Sequence, residues 1–239
     1  MSNPSDFKIL KNGVLKKYFG RGGDVVVPEG VKSIAGAFRY RSSLTSITLP
    51  ESVTRIGDNA FRSCKNLTSI TLPESVTRIG VYAFESCSSL TSITLPESLT
   101  SIGYRAFQGC NNLTSITLPE SLTSIGDMAF IGCKGLSDPN GFVIVKSILF
   151  DYYGSGGNVI IPDRVTSIGK DAFSDCKSME NLTIQNSVTS IGESAFRRCS
   201  NLKEVTIPDS VTEIGNNVFD RDVIIKYSTS AEAADRMQN

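Results

Sequence analysis

Six cysteines stand at positions 64, 87, 110, 133, 176 and 199, each three residues after a phenylalanine. Thiols at so regular an interval could serve as nucleophiles, metal ligands or disulfide partners. Nucleophilic use needs a base, and the 239-residue chain contains no histidine. That removes Ser-His-Asp and Cys-His catalysis and every His-bearing metal site. Cysteines 23 residues apart do not resemble the close pairs of a zinc motif. Thiols stacked in register point the same way and miss the dihedral a disulfide needs. Buried free thiols are therefore expected, with disulfides or metal ligation as the alternatives, and unpaired thiols suit a reducing compartment.

Carboxylates follow the same interval at Glu51, Glu74, Glu97 and Glu120. A row of oxygens could hold Ca²⁺. A solvated edge, partly relieved by Arg55 and Arg78, is the simpler expectation. Paired acids can hydrolyse glycosides, but these acids recur with the repeat instead of converging on one point. The glycine-rich stretches 20–23 and 154–157 precede predicted strands, not helix N-termini, so they read as turns and not as phosphate cradles. No catalytic residue, cofactor or metal ligand is assigned.

The elements that position these groups come from one repeating block. Ile56-Gly57, Ala60-Phe61, Cys64 and Leu67-Thr68-Ser69-Ile70-Thr71-Leu72-Pro73 return every 23 residues. The repeat phenylalanines fall at 38, 61, 84, 107 and 130, then at 173, 196 and 219 after a longer gap. A fixed period of this size specifies a solenoid, in which each unit buries its apolar side only against its neighbours. Within a unit, Ile70 and Leu72 should face inward and Ser69 and Thr71 outward by the two-residue alternation of a strand. Pro73 ends the strand, since it has no N–H to offer a ladder. Ala83, Phe84 and Cys87 should share one face of a short helical turn. Nine strands are expected, centred on Val26, Ile47, Ile70, Ile93, Ile116, Ile160, Thr183, Val205 and Ile224.

Two segments break the period and resemble each other. Residues 7–28 read as a hairpin turning at Asn12-Gly13, placed to cap an open edge. Residues 142–162 repeat that pattern with one residue fewer at the turn, and are expected to project from the solenoid or to replace one helix. A capping box at Thr229-Ser-Ala-Glu232 should open a closing helix over Ala231 to Met237. The expected organisation is a single domain over 1–239: an N-terminal hairpin cap (1–28), a first repeat block (29–133), the inserted hairpin (134–162), a second block (163–222) and a C-terminal cap (223–239).

Two faces could meet a partner. The concave strand face presents Ser46 and Thr48, Ser69 and Thr71, Ser92 and Thr94, and Ser115 and Thr117. So uniform a surface suits a periodic ligand such as a glycan better than an irregular protein epitope, and it lacks the aromatic and Arg anchors of hot spots. The helical side is more varied. There Tyr82, Tyr104, Met128 and Ile131 are expected to form an amphipathic strip running toward Phe150, Tyr152 and Tyr153 of the inserted hairpin. Exposed aromatic and Met clusters mark partner surfaces.

Lys+Arg and Asp+Glu balance at 24 each, so no global basic field gathers nucleic acid. No apolar run approaches the ~18 residues of a membrane span. The start, Met1-Ser-Asn-Pro-Ser-Asp6, has neither the basic nor the apolar region of a secretory signal. A cytoplasmic monomer is expected, or a surface or secreted protein if a signal has been removed.

The repeating unit, the opening Asn12-Gly13-Val-Leu-Lys-Lys module and the closing Tyr227-Ser-Thr-Ser-Ala-Glu segment resemble the BspA-type leucine-rich repeat family. The resemblance covers nearly the whole chain. It implies an α/β solenoid, a leucine-rich repeat superhelix with short strands on one face and short helical turns on the other. It also implies non-enzymatic binding: a protein-interaction module, or a bacterial surface adhesin for host matrix protein or glycan. A structural, self-assembling spacer is the further alternative.

Overall fold

The computed structural model describes residues 3–228. They pack as two compact units that divide between Leu136 and Ser137.

In the first unit every coil contributes to three lateral ladders. The nine expected strands are all present across the two units, and in this one they include Leu44–Thr48, Ser69–Thr71, Ser92–Thr94 and Ser115–Ile116. Ser69, Ile70 and Thr71 lie level with Ser92, Ile93 and Thr94 in parallel register. Ile70 and Leu72 are buried while Ser69 and Thr71 face solvent, as the alternation requires.

The second ladder has no counterpart in the expected strands. It consists of two-residue strands, Ser33–Ile34, Arg55–Ile56, Arg78–Ile79, Ser101–Ile102 and Ser124–Ile125. Isoleucine sits beside isoleucine at each step. The recurring corner glycine follows, and its backbone packs on the coil before. A Cβ built on Gly103 would lie 2.7–2.8 Å from the backbone of Gly80 and Val81.

The third side corrects the expected helical turns. Residues 57–64 and their equivalents form hydrogen-bonded turns, not helix. Alternate amides leave the coil: Asn59, Phe61 and Ser63 donate to the carbonyls of Val81, Ala83 and Glu85 at 2.7–2.9 Å. The amides between them close short local turns, such as Arg62 to Asn59 and Cys64 to Phe61. Directing every second N–H sideways requires a left-handed residue every fourth position, here Asn59 (φ 57°) and Ser63 (φ 59°). A helix would have spent those donors within the coil. The result is a ribbon bonded coil to coil, so Phe61 and Cys64 still share the inner side.

That inner side carries two columns. Phe38, Phe61, Phe84, Phe107 and Phe130 stack with centroids 5.2–5.4 Å apart and planes within 15°. All five are fully buried. Beside them, the thiols of Cys64, Cys87, Cys110 and Cys133 donate to the carbonyls of Phe38, Phe61, Phe84 and Phe107 at 3.0–3.2 Å.

Each unit opens with the same device. In the first, Phe7–Ile9 and Val14–Tyr18 form an antiparallel hairpin around the expected Asn12-Gly13 turn, and Val14–Tyr18 heads the short-strand ladder. Tyr18 lies between Phe7 (5.1 Å) and Phe38 (5.2 Å), starting the ring column. In the second, Phe142–Val145 and Ile148–Tyr152 pair the same way. Ile148–Tyr152 then heads the ladder of Ser167–Ile168, Ser190–Ile191 and Glu213–Ile214. Tyr152 lies between Phe142 and Phe173, each at 5.0 Å. The inserted hairpin therefore neither projects nor replaces a helix; it is integrated into its own sheet as a second cap. Phe173, Phe196 and Phe219 continue that column at 4.9 and 5.1 Å. The expected closing helix at 231–237 lies outside the described residues.

Candidate functional site

Five of the six thiols are buried. Burial pushes Cys64 up to about 12, offset in part by the Arg41 guanidinium and hydrogen bonding at that residue. Burial, aided by the neighbouring Cys176, pushes Cys199 up to about 12. Cys87 and Cys110 are raised by the same loss of solvent. A thiol held neutral is a poor nucleophile. Cys176, in the coil directly after the second cap, is the half-exposed member and is also raised by burial. Among the described residues no three His, Cys, Asp or Glu side chains converge on a metal-sized point. The Glu51, Glu74, Glu97 and Glu120 column is exposed throughout, and Glu74 accepts a hydrogen bond from the Glu97 amide at 3.3 Å.

The Ser/Thr face is exposed at all eight positions: Ser46, Thr48, Ser69, Thr71, Ser92, Thr94, Ser115 and Thr117. In its first coil Ser46 donates to Asp24 at 2.6 Å and Thr45 to the same oxygen at 3.2 Å. The other coils repeat one chemistry.

The turn ribbon of the first unit is different. Arg62 pairs through Nε with Glu85, both partly buried, and its guanidinium lies 5.1 Å over the Tyr82 ring. Tyr82 meets Tyr104 edge to face at 5.6 Å. Arg105 lies 5.0 Å over Tyr104, and its Nε is 3.3 Å from the Met128 sulfur. The Tyr104 hydroxyl approaches the same sulfur at 3.5 Å. Four coils are thus linked by one series of cation–π, edge-to-face and sulfur contacts.

Not all of the expected strip faces outward. Tyr82, Tyr104 and Ile131 are half-buried, but Met128 is only 5 % exposed and serves as the floor under Tyr104 and Arg105. In the second unit Phe150 is 3 % exposed and Tyr152 is wedged in the ring column, so neither offers a side chain to a partner. Tyr153 is 37 % exposed, with its hydroxyl donating to Asp151 at 2.7 Å. Arg62, Glu85 and Arg105 complete the ladder and were missing from the expected strip. Their signal was positional: each occupies a ribbon position whose occupant changes from coil to coil.

Tyr82, Arg105 and Met128 share a further property. They stand at equivalent ribbon positions with φ of 56°, 52° and 57°. Asn59 fills that position one coil earlier, and Asp171, Ser194 and Asn217 fill it in the second unit. Asn and Asp tolerate the left-handed region; Tyr, Arg and Met are disfavoured there.

Comparison with known proteins gives a consistent result. The chain matches the BspA type leucine rich repeat region, in six copies, over residues 23–137 and 143–233. No curated protein sequence matches. Among solved structures, a leucine-rich repeat protein from Bacteroides ovatus is similar at 30 % identity and a TM-score of 0.62. The match covers 95 % of this chain and 65 % of that one, so this chain spans about two thirds of that protein's length. The T. pallidum leucine-rich repeat protein is similar at 28 % identity, over 84 % of this chain and 90 % of its own, with a TM-score of 0.59. A leucine-rich repeat protein from Eubacterium ventriosum shares the fold at 24 % identity and a TM-score of 0.54, over 93 % and 69 %.

Proposed function

Because the chain belongs to the BspA-type leucine-rich repeat family, we propose that it is a non-catalytic scaffold that holds a protein partner, and that the first unit's turn ribbon makes the contact. The supporting observation is the choice of residues at the left-handed positions. A non-glycine residue there costs about 1–2 kcal/mol, and Tyr82, Arg105 and Met128 carry that cost where Asn serves one coil away. Tyr82 and Arg105 remain only half-buried in spite of that strain, and backbone strain of this kind clusters where a surface is used. Tyr and Arg are also the side chains that dominate binding energy at protein interfaces. The ladder pre-orders them, since each ring or guanidinium is held by its neighbour before a partner arrives.

The scaffold is suited to this work. The ribbon is bonded coil to coil by backbone amides and backed by the ring and thiol columns, so a partner meets a surface that does not rearrange. The Ser/Thr face offers no comparable anchors. Adhesion to host matrix rests on the resemblance alone.

The test is an affinity capture with the full chain, from native lysate and from host matrix extract, comparing the parent with Tyr82→Ala/Tyr104→Ala. Loss of one protein from the variant's eluate, with an unchanged unfolding midpoint, supports the proposal. Equal recovery of every captured protein by both refutes it.

A further inference from the structure

The first cap differs from the second in charge and in what it exposes. Residues 3–22 hold Lys8, Lys11, Lys16, Lys17 and Arg21 against a single acid, Asp6. The Asp6 carboxylate is engaged locally, accepting from the Asn3 amide at 3.1 Å. Among the described residues none of those five cations, nor Arg39, takes part in an ion pair with a carboxylate. Lys8 and Lys17 face each other directly across the hairpin, an arrangement that is unfavourable unless an anion sits between or above them.

Two aromatic rings stand in the same place. Phe19 is 53 % and Tyr40 59 % exposed. The Lys17 ammonium lies 5.2 Å over Phe19. Arg39 lies 4.6 Å over Tyr40 and donates to its hydroxyl at 2.7 Å. The two coils are tied together here by Arg41, whose guanidinium donates to the Tyr18 and Gly20 carbonyls. The segment 19–21 of one coil therefore runs alongside the segment 39–41 of the next. Tyr40 has φ 62°, at a ribbon position filled by Ser63, Ser86, Gly109 and Gly132 in the following coils.

The second cap is an internal control. Its Tyr152 repeats the ring geometry of Tyr18 with tilts of 42° and 39° against 42° and 40°. At the positions equivalent to Lys17, Arg21, Arg39 and Tyr40 it carries Asp151, Ser155, Ser174 and Asp175, and it keeps a ring only at the Phe19 position, as Tyr153. The cap fold thus requires none of these cations. Lysines on an edge strand discourage sheet-to-sheet pairing, which accounts for Lys8. It does not account for two exposed rings, which would favour association, or for Arg39 on the second coil.

We propose that this surface binds an anionic polysaccharide, with its carboxylate or sulfate groups on Lys17, Arg21 and Arg39 and the apolar face of a sugar ring on Tyr40 and Phe19. Unneutralised cations supply the charge match. Exposed rings beside them supply a flat apolar platform, which a simple counter-ion would not need. This site is separate from the protein-contact ladder and does not depend on it.

The experiment measures binding of the full chain to four probes by calorimetry at low and physiological salt: chondroitin sulfate, uncharged dextran, poly-L-glutamate and a single-stranded oligonucleotide. Chondroitin sulfate should bind, more weakly as salt rises, and dextran should not. Lys17→Gln/Arg21→Gln/Arg39→Gln should weaken binding by about tenfold or more. Tyr40→Gly should weaken it about fivefold while its melting temperature stays level or rises, because glycine is at ease at that φ. The proposal is overturned if chondroitin sulfate does not bind. It is equally overturned if Tyr40→Gly binds like the parent, or if poly-glutamate or the oligonucleotide binds as tightly, which would make the surface an acidic-protein or nucleic-acid site.

Discussion

Truncating one ring in the middle of a column should cost about twice as much as truncating the ring at its end. In the second unit Phe196 is 1 % exposed and lies between Phe173 at 4.9 Å and Phe219 at 5.1 Å. Its coil is bonded onward, with the Phe196 amide donating to Val218 at 2.9 Å and the Phe173 amide to Ala195 at 2.8 Å. Such a site collapses little when emptied, so Phe196→Ala should cost about 4 kcal/mol. Phe219 is half-buried and, among the described residues, stacks on Phe196 alone. Phe219→Ala loses part of its burial and one ring contact, about 2 kcal/mol. Because the two touch, the double variant should lose less than the sum, by about 1 kcal/mol. Urea unfolding followed by circular dichroism, with the slope against denaturant unchanged, reads all three. Equal losses from the two single variants, or less than ~1 kcal/mol from Phe196→Ala, would refute the claim that neighbouring coils jointly form the core.

Three other outcomes follow from the geometry. Stability should be flat from about pH 6 to 8 and fall between pH 9 and 12. Cys64 and Cys199 stay neutral in the fold up to about 12, whereas in the unfolded chain they ionise near 9, so the unfolded state releases protons first; a midpoint unchanged to pH 11 would contradict the buried thiols. In native protein, Cys176 should be the first thiol alkylated by iodoacetamide, with Cys87 and Cys110 reacting only on unfolding, as mass spectrometry of partial digests would show. Gly103→Ala should cost about 2–3 kcal/mol, because its new methyl meets Gly80 and Val81 backbone at 2.7–2.8 Å; a neutral result would mean the coils are not in close contact at that corner.

Much of the fold was legible because its period is imposed by packing. Phe and Cys three apart, and alternation at Ile70 and Leu72, report which side chains point inward, and these expectations hold. The same spacing cannot tell a helical turn from the observed ribbon, since either places residues three apart on one side. The telling signal was residues tolerant of positive φ at two positions four apart, Asn59, Asp171 and Asn217 at one and Gly109 and Gly132 at the other. The second strand ladder was hidden because two-residue strands such as Arg78–Ile79 are too short to alternate. The inserted hairpin's role lay in its likeness to the first cap: Phe7 and Tyr18 recur as Phe142 and Tyr152. The candidate site was half legible. Composition singled out Tyr82 and Tyr104, but only coordinates place Met128 beneath them and bring Arg62 and Arg105 over the rings.

That a coil acquires its hydrophobic interior from the coil before it, starting at a cap, is tested most directly by two fragments. The fragment 137–239 retains the hairpin that supplies Phe142, Leu149 and Tyr152 to the second unit's core. The fragment 163–239 lacks it, together with the core residues Val159 and Ile161, and loses about 2 kcal/mol for each of those five side chains. Circular dichroism with urea titration should show a cooperative β-sheet transition for the first fragment and none for the second. A transition in 163–239 at the same midpoint as in 137–239 would contradict the account.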